Sequence, residues 1–202
     1  EKSIFLLSQF STLQTELLQA WLKNMQMNYV FAQKNSEDPE VLYFRVQSNK
    51  NYNADLIDVG FGYSQVLPIL IQGIALEEGE TLIIEQPELH LHPEMQMHLA
   101  DFFIDLIKRG KKIIIETHSE HIINRIVRRM LEDKDNKIKD QTSIYFIENA
   151  SAADGANFKE IELDGDCGIK NWPDGFFDQA SNEKDQMLKN ILRNFKNDKN
   201  SN

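Results

Sequence analysis

Apolar positions follow two periodicities along the chain, and the switch from one to the other outlines its elements. Leu13, Leu17, Leu18 and Trp21 recur at helical spacing, which predicts an amphipathic helix from Ser11 to about Asn28 with Ser11 and Thr12 as caps. Tyr29–Gln33 and Val41–Gln47 read as strands around the turn-forming Asn35–Pro39, and the polar Asn49–Asn53 predicts a loop. Val66–Ala75 is apolar enough for a core helix, with Pro68 in its first turns, where a missing N–H costs least. Thr81–Ile84 is short and β-branched, the pattern of a buried parallel strand.

That strand breaks off in Glu85, Gln86, Pro87 and Glu88. Pro93 then fits the first position of a helix running to about Arg109, where Gly110 stops it. Met95, Leu99, Phe102, Phe103 and Leu106 give this helix a face to lay on a sheet. Lys112–Thr117 repeats the strand pattern and ends in Thr117-His118-Ser119, with Ser119 capping a helix from Glu120 to about Glu132. Lys134–Asp140 reads as a charged loop. Ser143–Glu148 and Phe158–Leu163 read as strands joined by Asn149–Asn157, and Glu183–Phe195 as an amphipathic helix before a frayed end at Lys196–Asn202. The pattern predicts an α/β fold, a largely parallel sheet flanked by helices, with a small β-hairpin and helix as a tail.

The 202 residues suffice for one domain with a real core, read here as 1–54 leading in, 55–132 at the centre and 133–202 as an extension. No apolar run reaches membrane-span length, so no membrane role is expected. The single cysteine, Cys167, fits a reducing cytoplasm. A net charge of −10 argues against a broadly basic nucleic-acid surface, but Arg125, Arg128 and Arg129 cluster on one helix and leave nucleic acid open as a target. The chain starts at Glu1 and enters structure almost at once, as a piece of a longer polypeptide would.

Chemistry concentrates in the strand ends. Open α/β sheets bind ligands beyond the carboxyl ends of their strands, where Glu85, Gln86 and His118 are expected to meet. Asp58-Val-Gly-Phe-Gly-Tyr-Ser-Gln65 offers a glycine turn feeding a helix N-terminus, which is either an anion contact or a tight turn before a core helix.

Three motifs stand in a fixed order: Gly60-Phe61-Gly62 before a helix, Thr81–Glu85 as a strand ending in acid, and His118 ending the next strand. Over roughly residues 55–125 this resembles the second half of an ABC-type ATPase head, as in the SMC and OLD-like P-loop families. The resemblance implies that Val59–Ser64, with Gly60, Phe61, Gly62 and Ser64, is the signature loop that contacts the γ-phosphate of ATP held by the opposite subunit. It implies that Glu85 is the Walker B acid holding Mg²⁺ through water. Glu88–Pro93, His90 included, would be the D-loop, and His118 the switch histidine sensing the γ-phosphate.

The tail Asn171-Trp-Pro-Asp-Gly-Phe-Phe-Asp178, together with Glu85–Pro93, is similar to a group of bacterial predicted ATPases with a C-terminal element of unassigned function. Some of that group belong to antiphage defence, including Septu-like subunits that partner an HNH nuclease. What the resemblance implies is Mg²⁺-dependent ATP binding and hydrolysis at the interface of a homodimer of heads, coupled to an effector protein such as a nuclease.

The chain departs from the pattern at three places. The Walker A loop G-x-x-x-x-G-K-[ST] is missing, since the one Gly-Lys pair is Gly110-Lys111, so that lobe is expected upstream or on another chain. Gly60 stands where the signature loop has serine, with Ser64 nearby. Gln86 occupies the place of the catalytic glutamate, and a glutamine cannot accept the proton of attacking water, a function worth about 10²–10⁴-fold. It can still orient water, as in small GTPases, and Glu88 is a second candidate for the base. A nucleotide-gated assembly module with little turnover is therefore the alternative.

Two metal-dependent readings compete. His90, His92, His118 and His121 lie near Glu85 and Glu88 and could ligate zinc or manganese, although they lack zincin spacing. Glu148 with Asp164-Gly165-Asp166 mimics a Toprim nuclease, but a β-hairpin ending in an acidic turn explains that stretch better. Trp172, Phe176 and Phe177 read as local packing, with a docking patch as the functional alternative.

Overall fold

A computed structural model describes all residues except 1, 39–40, 50–51, 59, 150–154, 167, 174, 178 and 200–202. Val59, Cys167, Asp174 and Asp178 thus lie outside the described residues, as do the side chains of Phe61 and Glu148. The chain divides into two compact units, 1–129 and 130–202.

The first unit opens with α1 (Lys2–Ser8), which no clear periodicity announced, and α2 (Thr12–Asn24). Ser11 caps α2 in a capping box with Gln14: the Gln14 N–H donates to Ser11 Oγ, and the Ser11 N–H donates to Gln14 Oε1 at 3.0 Å. The helix stops short of Asn28 because Gln26 turns left-handed (φ 57°), which sends buried Met25 and Met27 into the core. An antiparallel sheet follows, β1 (Val30–Lys34), β2 (Leu42–Asn49) and β3 (Tyr52–Asp55), in the order β1-β2-β3. Of the expected loop at Asn49–Asn53, Asn49 ends β2 and Tyr52 and Asn53 begin β3. The polar sequence hid a strand held by ladder bonds, buried Ala54 and an Arg45–Asp55 ion pair of 2.5 Å.

Next come α3 (Phe61–Ala75), β4 (Thr81–Glu85), α4 (Pro93–Lys108), β5 (Lys112–Glu116) and α5 (Glu120–Glu132). β4 and β5 pair in parallel, from Thr81 opposite Lys112 to Glu85 opposite Glu116, with α4 as the crossover. Gly110 (φ 76°) follows the end of α4 in the left-handed conformation that suits glycine. Leu18, Leu22, Val66, Leu67, Leu70, Ile71, Leu99, Phe102, Phe103 and Leu106 make one core, with Leu82 in it and Ile84, Ile113 and Ile115 packed against it. The α/β class with a parallel pair crossed over by a helix is as the pattern predicted.

Two expectations change. β4 and β5 are covered on one face only: Leu82 is buried, while the register partners Ile83 and Ile114 are 68% and 57% exposed on the other face. In addition, α3 begins at Phe61 rather than Val66, so Pro68 is the eighth residue of a fifteen-residue helix and lies in its interior. There the missing N–H and ring clash work against the helix by about 3 kcal/mol, so packing has to hold it: Val66, Leu67, Leu70 and Ile71 are fully buried. Lys111 helps at the other end, where its Nζ donates to the carbonyls of Gly73 and Ile74 at 2.9 and 3.2 Å.

The second unit carries α6 (Lys137–Asp140), a hairpin of β6 (Ile144–Asn149) and β7 (Ala156–Ile161), a two-residue pair β8 (Leu163–Asp164) and β9 (Gly168–Ile169), and α7 (Gln179–Lys199). The expected charged loop at Lys134–Asp140 contains a helical turn, because Ile138 is buried and its N–H is capped by Asp133 Oδ2 at 2.8 Å. The final helix continues to Lys199, past the expected frayed start at Lys196.

Candidate functional site at the strand ends

Parallel register places Glu85 and Glu116 side by side as the last residues of their strands, about 4.8 Å apart along the hydrogen-bonding direction. Both continue the alternation that turns Ile83 and Ile114 outward, and both are exposed. His118 is 76% exposed and its Nε2 lies 3.1 Å from Glu116 Oε1. Glu116 is the site residue that sequence reasoning passed over. A signal was present, since Ile83-Ile84-Glu85 and Ile114-Ile115-Glu116 repeat one pattern at the ends of two strands of equal length.

Beyond β4 the chain turns sharply. The Gln86 N–H donates to the Glu116 carbonyl at 2.8 Å, which extends the ladder by one bond, while φ of 46° puts Gln86 in the left-handed region. A non-glycine residue there costs energy, and such positions gather at functional sites. Pro87 is buried and Glu88 half-buried. Glu88 Oε2 accepts from Thr117 Oγ1 at 2.7 Å, and Oε1 accepts from the His118 N–H at 2.7 Å.

The segment closes on itself and on α5. The Leu91 N–H donates to the Glu88 carbonyl at 3.0 Å, Leu91 is buried, and His90 is the second left-handed residue (φ 61°). His92 caps α4, its Nδ1 accepting from the Glu94 N–H at 3.3 Å. Gln96 donates to the Leu91 carbonyl at 2.9 Å and accepts from Ser119 Oγ at 2.5 Å. Ser119 Oγ in turn accepts from the Ile122 N–H at 3.1 Å as the cap of α5, and the Ser119 N–H donates to Thr117 Oγ1 at 3.0 Å. Glu85, Gln86, Glu88 and His118 therefore meet at one edge.

Gly60, Gly62 and Ser64 lie at the start of α3. No hydrogen bond among the described residues joins them to that edge. Gly60 caps α3 without a side-chain bond and needs φ of 93°, and a Cβ on either Gly60 or Gly62 would meet nothing within 4 Å. The first turn of α3, like that of any helix, leaves backbone N–H groups without intrahelical partners, and the missing side chains at Gly60 and Gly62 leave room beside them, an arrangement that favours an anion.

The competing features resolve locally. Among the described residues no group of three or more His, Cys, Asp or Glu side chains is arranged to hold a metal. Asp164-Gly165-Asp166 forms the β8–β9 turn, with the Asp166 N–H donating to Asp164 Oδ1 at 2.8 Å and Lys170 paired to Asp164 at 3.1 Å. Arg125 and Arg129 both bind Asp101, at 2.7 Å each, so two of the three clustered arginines serve the α4–α5 contact. Burial works to raise the Asp101 pKa, but hydrogen bonds and charge from Arg129 and Arg125 outweigh it and hold the carboxyl below its ordinary value. Phe176 is buried as the hub of an aromatic cluster, with ring centroids 5.5 Å from Phe146, 5.3 Å from Trp172 and 4.8 Å from Phe177. Among the described residues no helix is long and apolar enough to cross a membrane.

A family model described as AAA ATPase domain matches residues 5–123, and a second, described as Protein of unknown function (DUF3696), matches residues 139–187. Among characterised proteins, the energy-coupling factor transporter ATP-binding protein EcfA2 of Mycoplasmopsis pulmonis (strain UAB CTIP) is 28% identical over 82 residues, 40% of this chain. The match spans 27% of that relative's length. Two solved structures share the fold over 74% of this chain. One, from a study of ATP-driven dimerization and DNA-stimulated activation of SMC ATPases, is 12% identical with a TM-score of 0.50 over 84% of its own chain. The other, an SmcHead bound to the C-winged helix domain of ScpA, is 10% identical with a TM-score of 0.53 over 41% of its own chain.

Proposed function

Because the chain belongs to the AAA ATPase domain family, with the fold of SMC-type heads, we propose that it supplies half of a Mg²⁺-dependent ATPase site. The other half is a Walker A lobe, and the composite site forms between two heads. The observation that carries this reading is the convergence of Glu85, Gln86, Glu88 and His118 at one strand edge, beside a sheet face left open. Parallel strands are ordinarily covered on both faces, so exposed Ile83 and Ile114 suit further polypeptide packing there.

The residues at the edge fit Mg²⁺. Carboxylate oxygens are its preferred protein ligands, and it binds through one or two of them plus water and substrate phosphates rather than in an all-protein cage. Glu85 would hold it through water, with Glu116 beside it. When bound, Mg²⁺ supplies neutralisation of phosphate charge. His118, exposed and carried on a hydrogen-bonded turn, would donate to the γ-phosphate. Gln86 would orient the attacking water, and Gly60–Ser64 with Phe61 would close the site of the opposite head. The D-loop segment with His90 would line the same interface. Coupling to an effector such as an antiphage nuclease, with nucleic acid as its target, belongs to this reading through the resemblance of the Glu85–Pro93 and Asn171–Asp178 motifs.

Gln86 favours a second reading, in which ATP clamps two heads together and turnover is secondary. Steady-state ATP hydrolysis by the complete protein, compared with Gln86→Glu, separates the two. Slow turnover that rises about tenfold or more in Gln86→Glu supports ATP as a clamp. Equal rates show that the proton leaves by another route, and loss of turnover in Gln86→Glu shows that the amide itself is required.

A further inference from the structure

We propose that Glu88 is a positioning residue, a latch that fixes where His118 stands, and not the base that removes a proton from water. Its place in catalysis rests on the ATPase reading above, whereas the latch itself does not. Both carboxylate oxygens face the turn after β5: one accepts from the Thr117 hydroxyl and the other from the His118 N–H, each at 2.7 Å. Bonds of this length to a carboxylate are the strong, charge-assisted kind, and two from adjacent residues fix both ends of the group. The Thr117 hydroxyl donates to Glu88 while accepting from the Ser119 N–H at 3.0 Å, which leaves it one further lone pair. Behind it, Ser119 Oγ is tied to Gln96, and Gln96 to the Leu91 carbonyl, so the turn is braced from the α4 side as well.

The consequence is a physical link between two segments 30 residues apart in sequence. The segment Glu88–His92 would face the opposite head at the proposed interface, and His118 would face the γ-phosphate. Glu88 belongs to the first and grips the second by its backbone. A shift of the segment when heads meet would therefore move His118, and turnover would answer to dimer contact through this carboxylate. Because the grip is on the main chain, the His118 ring stays exposed and available to substrate.

The two roles for Glu88 respond differently to substitution. In Glu88→Gln the amide oxygen can accept from the His118 N–H, and its NH₂ can donate to Thr117 Oγ1 once that hydroxyl rotates. A latch thus survives where a base does not. The test measures kcat and KM for MgATP on the complete ATPase, together with hydrogen exchange at the His118 amide without nucleotide. Glu88→Gln is expected to keep kcat within about threefold. Glu88→Ala is expected to lose about tenfold or more in kcat with KM unchanged, as a misplaced group would. The His118 amide should exchange at least about tenfold faster in Glu88→Ala, and Thr117→Val, which keeps the His118 bond, should fall between.

Glu88→Gln as inactive as Glu88→Ala would make Glu88 an acid–base group and overturn the proposal. Wild-type turnover in Glu88→Ala, or unchanged His118 exchange there, would overturn it too. A wild-type protein without any turnover would refute the ATPase reading, while the exchange measurement would still decide the latch.

Discussion

Replacing Gly73 with alanine ought to stabilise a helix, and here it should do the opposite. Gly73 lies on α3 where that helix meets α4. A Cβ at Gly73 would sit 2.7 Å from Leu106 Cδ1 and 2.9 Å from Phe102 Cζ, about 0.7–1 Å inside ordinary carbon contact. Both neighbours are fully buried, and Phe102 is wedged edge-on against Trp21 at 5.3 Å, so neither can swing away. Two contacts this short against fully buried side chains place the overpacking cost at about 2–3 kcal/mol, the upper part of the usual range, against about 1 kcal/mol gained from the helix propensity of alanine over glycine. The net expectation is a loss of about 1–2 kcal/mol. Urea unfolding followed by far-ultraviolet circular dichroism should show it as a midpoint lower by about 0.5–1 M, given a slope near 2 kcal/mol/M. Phe102→Leu in the same background should recover part of the loss, a coupling of about 1 kcal/mol. A Gly73→Ala protein as stable as wild type would refute the close approach of α3 and α4. That approach bears on function, because Gly60 caps the start of α3 and α4 follows the Glu85–His92 segment.

Gly60 and Gly62 should separate fold from function. Gly60→Ala forces φ of 93° on an L-residue and should cost about 1–2 kcal/mol by urea unfolding, whereas Gly62→Ala inside the helix should stabilise by up to about 0.5 kcal/mol yet still lower ATP turnover. Asp101→Asn should destabilise by about 2 kcal/mol at pH 7, since it removes the one carboxylate that Arg125 and Arg129 share. The native pKa of Asp101 is depressed, so its stabilisation is full above the unfolded value of about 3.9 and is lost as pH falls through the native one. Unfolding curves of wild type and Asp101→Asn should therefore converge below about pH 4, and a gap that stays constant to pH 2 would contradict the ion pair.

What the sequence made legible was whatever repeats or alternates over many residues. α4 carries its stripe from Met95 to Leu106 and its stop at Gly110, and β4 and β5 announce themselves by β-branched runs. Short polar elements did not, because β3 is held by cross-strand bonds and α6 by one buried isoleucine. The start of α3 was misplaced because two glycines look like a turn, although one left-handed glycine suffices to begin a helix directly after it. Glu85, Gln86, Glu88 and His118 were legible as strand-end polar residues. The pairing of Glu85 with Glu116 required the register, and the grip of Glu88 on His118 joins positions 30 apart, which no local pattern carries.

As half of an ATP site, this chain should bind MgATP only when a Walker A lobe completes it. Isothermal titration of MgATP into the chain alone, and into the same chain joined to a Walker A lobe, tests it most directly. Heat of tight binding by the joined protein only is the expected result. Tight binding by the chain alone would place the whole pocket within these residues and contradict the account.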